Sequence, residues 1–347
     1  MAKKPAVNKL NLVKDVYQGR PTTLCPGCGH NSISNQIVQT AFDQSIPQHM
    51  LLKMSGIGCS SKSPAYFLGR SHGFNALHGR MPSVVTGALM GNRSLKAIAV
   101  SGDGDTGSIG LGQFKHVIRR NVPFVYIIEN NGVYGLTKGQ FSATAEEGLE
   151  LKYYGKNQFP EIDLAMEAII SGATFVARSF SGDKNQVQSL LEAALAHKGT
   201  AVIDIISPCV TFNNDDDSHK SFKYGLKHNI PLHEIQVVNP HFVEEQEEIE
   251  VEQTEGEIIQ VKMHDGSFIR LKSVDRDYDP RKKGQAIGTL ADAQSEELFL
   301  TGLLYYQEPR PTLPEIDNLT ETPLSALDDS ASRPSREQLD AVMKTFM

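Results

Sequence analysis

The sequence predicts an α/β fold, a doubly wound parallel sheet, from three observations. Short apolar runs with the length and flanks of buried parallel strands recur along the chain, as at 97–100 and 124–128. Helical stripes separate them, as at Leu111, Phe114, Val117 and Ile118. Polar, glycine-rich turns follow several of the runs, at the strand ends where open α/β sheets bind ligands.

Residues 1–20 are mixed and basic and are expected to form an extended arm. Cys25-Pro26-Gly27-Cys28-Gly29-His30 then leads into a helix with Ile33, Ile37, Val38, Ala41 and Phe42 on one face. Leu51, Leu52 and Met54 mark a strand running into the turn Ser55-Gly56-Ile57-Gly58-Cys59-Ser60-Ser61-Lys62. A polar segment with His72, His78 and Arg80 precedes a helix through Val84, Val85, Ala88 and Leu89. Next come the strand at 97–100, the turn Gly102-Asp103-Gly104-Asp105-Thr106-Gly107, a helix, the strand at 124–128 and Asn130-Asn131-Gly132-Val133-Tyr134. Two further strands are expected at 174–177 and 201–206. The helix between them carries Val187, Leu190, Leu191 and Ala194, with Asp183 as its N-cap.

The expected binding domain covers 21–240, and 241–347 form a C-terminal extension. Within the extension, 244–257 are strongly acidic and read as a solvated linker. The runs at 258–263 and 268–271 flank His264-Asp265-Gly266-Ser267 and predict a hairpin. Residues 307–335, rich in Pro, Thr, Ser and Asp, predict an irregular extended segment. Ser335 and Gln338 form a capping box for a terminal helix with Leu339, Val342, Met343 and Phe346 on one face. That face needs a surface to pack on, either its own domain or a partner subunit.

The 347 residues are 39% hydrophobic, which suits a soluble globular protein with a substantial core. A formal charge of −7 argues against a general nucleic-acid binder, whose footprint is basic. Lys3, Lys4 and Lys9 precede no apolar leader core, and no run of 18 apolar residues occurs. The expected location is the cytoplasm, away from membrane.

The paired turns carry the first chemical reading. Gly102 and Gly104 let the backbone approach an anion, and the helix that follows offers unpaired N–H groups. Asp103 and Asn131 are hard oxygen ligands at the carboxyl ends of neighbouring strands, suited to a magnesium ion bridging to phosphates. Two ordinary polar turns are the bland alternative. Cys25, Cys28, Cys59 and Cys209 carry the second reading. Cys59 and Cys209 both follow strands and are expected at the same sheet edge as the phosphate loop. Four thiolates match a [4Fe–4S] cube. They also match structural zinc, although 30 residues separate Cys28 from Cys59 and 149 separate Cys59 from Cys209. A redox CPGC pair or unrelated buried thiols are further options, and spacing leaves cluster and zinc level.

The pairing of GDG with NN resembles the thiamine diphosphate fingerprint. Over 20–235, the segments LCPGCGH, GDGDTGSIG and NNGVYGLTKGQ are similar to the 2-oxoacid:ferredoxin oxidoreductases, specifically the β subunit of the 2-oxoglutarate type. The resemblance implies that thiamine diphosphate is held by Gly102, Asp103, Gly104, Asp105, Asn131, Val133, Tyr134, Gly135, Leu136 and Thr137. It implies magnesium at Asp103, Asn131 and Val133, and a [4Fe–4S] cluster on the four cysteines. The implied reaction converts 2-oxoglutarate and coenzyme A to acyl-CoA and CO2 with reduction of ferredoxin, or the reverse. Lys62 and His30 are the candidate catalytic residues, and Lys62, Lys138, His78 and Arg80 the candidate substrate contacts. Structural histidines and surface lysines are the ordinary alternatives. The family's pyrimidine-binding glutamate lies on an α subunit, which implies an α2β2 assembly. A non-redox thiamine decarboxylase with structural zinc and a non-catalytic electron-transfer subunit are the rival readings.

Overall fold

Val125 and Ile127 point to one side of their strand, Phe124, Tyr126 and Ile128 to the other, and all five are buried. A strand buried on both faces belongs inside a sheet covered on both sides. The structure, a computed structural model, describes residues 5–216, 218–238, 258–262, 268–273, 278–308 and 310–346.

The central sheet has eight strands: β1 (Leu51–Ser55), β2 (His72–Asn75), β3 (Lys96–Gly102), β4 (Phe124–Asn130), β5 (Phe175–Phe180), β6 (Thr200–Ile206), β7 (Asn229–Pro231) and β8 (Phe299–Tyr306). Their order is β7-β8-β5-β6-β4-β3-β1-β2. Helices α1 (Gly29–Asp43) and α5 (Lys184–Ala196) cover the Val125 face. Helices α2 (Met81–Gly91), α3 (Leu111–Arg119) and α4 (Leu164–Ile170) cover the Tyr126 face; α6 (Phe222–His228) leads into β7, and α7 (Lys283–Ser295) joins the Tyr126 face. Asp183 caps α5 as expected, accepting from Gln186 N at 3.1 Å, and Asp163 caps α4 in the same way.

The sheet is parallel over most of its width, as the sequence predicts, and mixed at one side. β8 pairs antiparallel with β5, and β7 runs parallel to β8. Residues 299–306 lie past position 240, yet they are members of the central sheet and fully buried along their length. An antiparallel edge on an otherwise parallel sheet needs no crossover of fixed hand, so a late stretch of chain can add it.

The remaining segments are more structured than a linear reading suggests. Residues 5–20 hold a β-bridge, Val7 to Val13, and a 3₁₀ turn, Lys14–Tyr17; Tyr17 is wholly buried and its hydroxyl donates to Ile46 O at 3.1 Å. The strands of the expected hairpin, Ile258–Lys262 and Phe268–Ser273, pair antiparallel and are joined by His233–Val238 in a small sheet. Its turn at 263–267 and the acidic stretch 244–257 lie outside the described residues. Short helices, Leu313–Ile316 and Asp329–Ser332, interrupt the Pro-rich segment. The terminal helix Arg336–Lys344 has its Ser335–Gln338 capping box, but Leu339, Val342, Met343 and Phe346 are all at least half exposed. Among the described residues no helix is long and apolar enough to cross a membrane.

Strand order positions the site. From β1 the chain moves outward to β2, then returns to the other side of β1 for β3 and continues to β4. The loops leaving β1 and β3 therefore diverge, and the crevice between them is the switch point of the sheet. Gly56 sits there, where a Cβ would stand 1.8 Å from Asp105 Oδ2 and 2.6 Å from Ser101 Oγ. Asp105 has no room to retreat, because it also accepts from Gly79 N at 2.7 Å and from Ser101 Oγ at 2.8 Å. Gly56→Ala is expected to cost about 1–3 kcal/mol of stability through overpacking, read as a lower urea midpoint at unchanged slope. An unaltered midpoint would show that the Asp105 latch yields freely.

Candidate active site

Four turns meet at one edge of the sheet because β1, β3, β4 and β6 run parallel and end together. They carry Cys59, Asp103, Asn131 and Cys209 respectively. The start of α1 closes the group. Gly29 N donates to Pro208 O at 3.3 Å, and a Cβ on Gly29 would fall 2.5 Å from Ser207 Oγ. Glycine thus lets the helix start, with Cys28 as its N-cap, lie against the turn that carries Cys209.

Asp103 is 2% exposed, and four donors converge on its carboxylate. Asn131 N approaches Oδ1 at 3.3 Å; Gly132 N at 3.1 Å, Thr144 Oγ1 at 2.7 Å and Ser142 Oγ approach Oδ2. Asn131 Oδ1 accepts from Val133 N at 3.0 Å. Tyr134 OH donates to Gly104 O at 2.8 Å, and its ring lies so close that a Cβ on Gly104 would be 2.5 Å away. The chain then makes a π-helical turn, Gly104–Ile109, before α3; such wide turns recur at functional sites. Gly102, Asp103, Gly104, Asn131, Val133 and Tyr134 face a cavity of about 20 Å³ whose other wall includes His30, Cys59 and Glu129. A carboxylate, an amide oxygen and a glycine-flanked backbone form a donor set that can hold a divalent cation and an attached diphosphate.

Cys25, Cys28, Cys59 and Cys209 line a neighbouring cavity of about 70 Å³, together with His30 and Lys62. All four thiols are free. Gly135 separates two of them: a Cβ there would stand 3.5 Å from Cys209 Sγ and 3.6 Å from Cys59 Sγ. Burial pushes the Cys28 thiol up to about 12, with Glu129, Cys209 and Cys59 adding to the shift against a backbone hydrogen bond at His30. Cys59 is shifted upward too, chiefly by burial and then by Cys209. Among the described residues no three His, Cys, Asp or Glu side chains are grouped to hold a single metal ion. Four thiols on one cavity are a donor set that iron–sulfur groups and structural zinc both use. His30, Cys59, Asn131 and Gly135 belong to both cavities.

The other expected residues divide between the smaller cavity and the surface. Asp105 lines the smaller cavity, but its two oxygens are engaged by Gly79 N and Ser101 Oγ, so it latches the 78–80 loop. His78 and Arg80 flank that latch and are exposed. Leu136 and Thr137 are exposed beyond Gly135. Lys138 takes a left-handed φ of 79° and borders a separate groove with Lys152 and Phe212.

Sequence reasoning passed over Glu129. It is wholly buried at the end of β4, where Ser63 Oγ lies 3.1 and 2.9 Å from its two oxygens. His30 Nδ1 stands 3.6 Å from Glu129 Oε2 and 2.6 Å from Ser207 Oγ. Burial raises the Glu129 carboxyl well above its ordinary range and pushes His30 down to about 4. His30 is therefore neutral near pH 7, and burial disfavours the ionised form of Glu129. The available signal was one acidic residue closing an otherwise apolar strand. In the metal-free chain at pH 8, iodoacetamide is expected to modify exposed Cys25 at least about tenfold faster than Cys28, since only the thiolate reacts. Peptide mass spectrometry reads the rates, and equal rates would show that Cys28 is not held as a buried thiol.

Turns at the carboxyl ends of a wound sheet, with a cation-ready carboxylate beside a glycine-framed backbone, define a diphosphate-binding domain of the thiamine-dependent enzymes. Residues 56–205 match the model of the thiamine pyrophosphate enzyme C-terminal TPP binding domain. Over 194 residues the chain is 41% identical to the 2-oxoacid:ferredoxin oxidoreductase subunit beta of a Sulfolobus species, covering 55% of this chain and 63% of that one. It is 33% identical over 194 residues to the 2-oxoglutarate synthase subunit KorB of Methanocaldococcus jannaschii, covering 55% of this chain and 71% of that one. A solved 2-oxoglutarate:ferredoxin oxidoreductase from Magnetococcus marinus, with 2-oxoglutarate, coenzyme A and succinyl-CoA bound, superposes with a TM-score of 0.72 at 26% identity, covering 96% of both chains. This chain belongs to the family of 2-oxoacid:ferredoxin oxidoreductase β subunits. It spans less than two thirds of the length of the Sulfolobus relative.

Proposed function

We propose that this chain is the cofactor-bearing β subunit of a 2-oxoglutarate:ferredoxin oxidoreductase. The reaction is the oxidative decarboxylation of 2-oxoglutarate with coenzyme A to succinyl-CoA, CO2 and reduced ferredoxin, or its reverse. The observation that carries the reading is the shared wall: His30, Cys59, Asn131 and Gly135 border both the phosphate cavity and the four-thiol cavity. Family membership and the ligands of the Magnetococcus relative support the same substrate class.

Asp103, Asn131 and the Val133 backbone would hold magnesium, and the backbone from Gly102 to Gly104, with Tyr134 and Gly135, would receive the diphosphate. Thiamine diphosphate, when bound, supplies the carbon nucleophile and electron sink for a 2-oxo acid. Cys25, Cys28, Cys59 and Cys209 would carry a [4Fe–4S] cluster, which takes electrons one at a time. The chain's own residues bind and orient. Lys62, which borders the thiol cavity, would meet the distal carboxylate of the substrate; Lys138 borders the separate groove. His30, buried and lining both cavities, would bring no charge of its own to the wall between them. The glutamate that thiamine enzymes set against the pyrimidine ring would come from an α subunit in an α2β2 assembly. The setting is the cytoplasm.

The first measurement is visible absorption, iron and acid-labile sulfide on anaerobically purified protein co-expressed with its α subunit. Iron and sulfide near four per β chain, bleached by 2-oxoglutarate plus coenzyme A, is the expected result. Zinc without sulfide would remove the electron-transfer half. Asp103→Ala is expected to lose magnesium-dependent retention of thiamine diphosphate by at least about tenfold with iron content intact; full retention would refute the assignment. Cys59→Ala is expected to do the reverse. Lys62→Ala should raise KM for 2-oxoglutarate far more than for pyruvate, and equal effects would count against carboxylate recognition.

A further inference from the structure

Behind Asp103 the central strands carry a second polar array. Arg178 on β5 and Asp204 on β6 are register partners. Arg178 Nε donates to Asp204 Oδ2 at 3.1 Å, and Nη2 donates to Asp163 Oδ1 at 2.5 Å. The same Asp163 oxygen caps α4, accepting from Met166 N at 2.9 Å. Asp204 turns its other oxygen, Oδ1, to Asn130 Nδ2 at 3.0 Å. Asp204 is 1% exposed, and the Arg178 side chain is 12% exposed. Burial works against the charge on Arg178, but the two carboxylates outweigh it and hold the guanidinium ionised.

Buried charge of this kind is weak evidence for stability by itself, so its connections matter. Asn130 begins the turn whose next two amides, Asn131 N and Gly132 N, donate to Asp103. Thr144 Oγ1 lies 2.7 Å from Asp103 Oδ2 and 2.9 Å from Asn130 Oδ1. The hydroxyl has one proton, and the shorter, charge-assisted contact takes it. Asn130 is then held by Nδ2 on Asp204, and Asp204 by Arg178. With three donors on Oδ2 and one at 3.3 Å on Oδ1, Asp103 is turned so that Oδ1 is the oxygen left for a cation.

We propose that Arg178 is a positioning residue for the Asp103 cation site, acting through Asp204 and Asn130 on the turn that orients the carboxylate. The inference rests on the reading that Asp103 holds magnesium. Partners behind a ligating group commonly change metal affinity about 10–100-fold. Arg178→Lys keeps the positive charge but loses the fork that spans two carboxylates. Asp204→Asn keeps the shape and removes the charge.

The test is calorimetric titration of magnesium chloride into the full chain, co-purified with its α subunit, at saturating thiamine diphosphate and well below each variant's Tm. Arg178→Lys is expected to raise the magnesium Kd about tenfold while iron content stays at the wild-type level. If both residues act in one series, the Arg178→Lys/Asp204→Asn double variant is no weaker than the weaker single variant. A lowered Tm with unchanged Kd, or fully additive effects, overturns the inference and leaves the Asp103 assignment standing. Wild-type protein that binds no magnesium in the presence of thiamine diphosphate overturns both.

Discussion

Parallel pairing of β1, β3, β4 and β6 is the constraint on which the rest of the site depends. In such a sheet every strand delivers its following turn to the same edge, so residues far apart in sequence become neighbours without special contacts between them. Cys59 and Cys209 are drawn to that edge by register alone, and Asp103 and Asn131 arrive by the same rule. The apolar alternation that buries Val125 on one face and Tyr126 on the other is therefore also what sets the functional turns in place.

Close approach is the second ingredient, and it is supplied by glycine at specific points. Gly29 admits the start of α1 to the Ser207 turn, and Gly135 lies between the Cys59 and Cys209 sulfurs. A Cβ at Gly29 would clash with the Ser207 turn, whereas one at Gly135 would only touch the two sulfurs. The buried polar groups follow a different logic. Burial raises Glu129 and lowers His30, each toward its uncharged form, whereas two acids raise Arg178. For Arg178 the two acids together outweigh desolvation, whereas desolvation alone shifts His30.

Much of this was legible in the sequence. The strands at 97–100 and 124–128 are observed at Lys96–Gly102 and Phe124–Asn130, and α5 begins at its expected cap, Asp183. The expected cysteines do line one cavity. Those signals are local: a run, a stripe, a turn. β8 escaped because its pairing with β5 spans more than a hundred residues and reverses direction. Asp105 also accepts from Gly79 N, a partner that only the folded chain brings near. Thr144, Arg178 and Asp204 carry no motif, and their hydrogen bonds join residues that lie far apart in the chain.

The thiol cavity is unequal in its exposure. Cys25 meets solvent, and Cys59 borders the inner cavity beside Asp103 and Tyr134. A redox group seated on these sulfurs would have an inlet and an outlet fixed by the protein: one side facing the chemistry, the other open to an external acceptor. Such an arrangement would fix the path of the electrons without moving parts and leave their direction to the relative potentials of donor and acceptor. It also places the most oxygen-vulnerable sulfur at the outer end, so damage from air would begin at the terminal that the acceptor must touch.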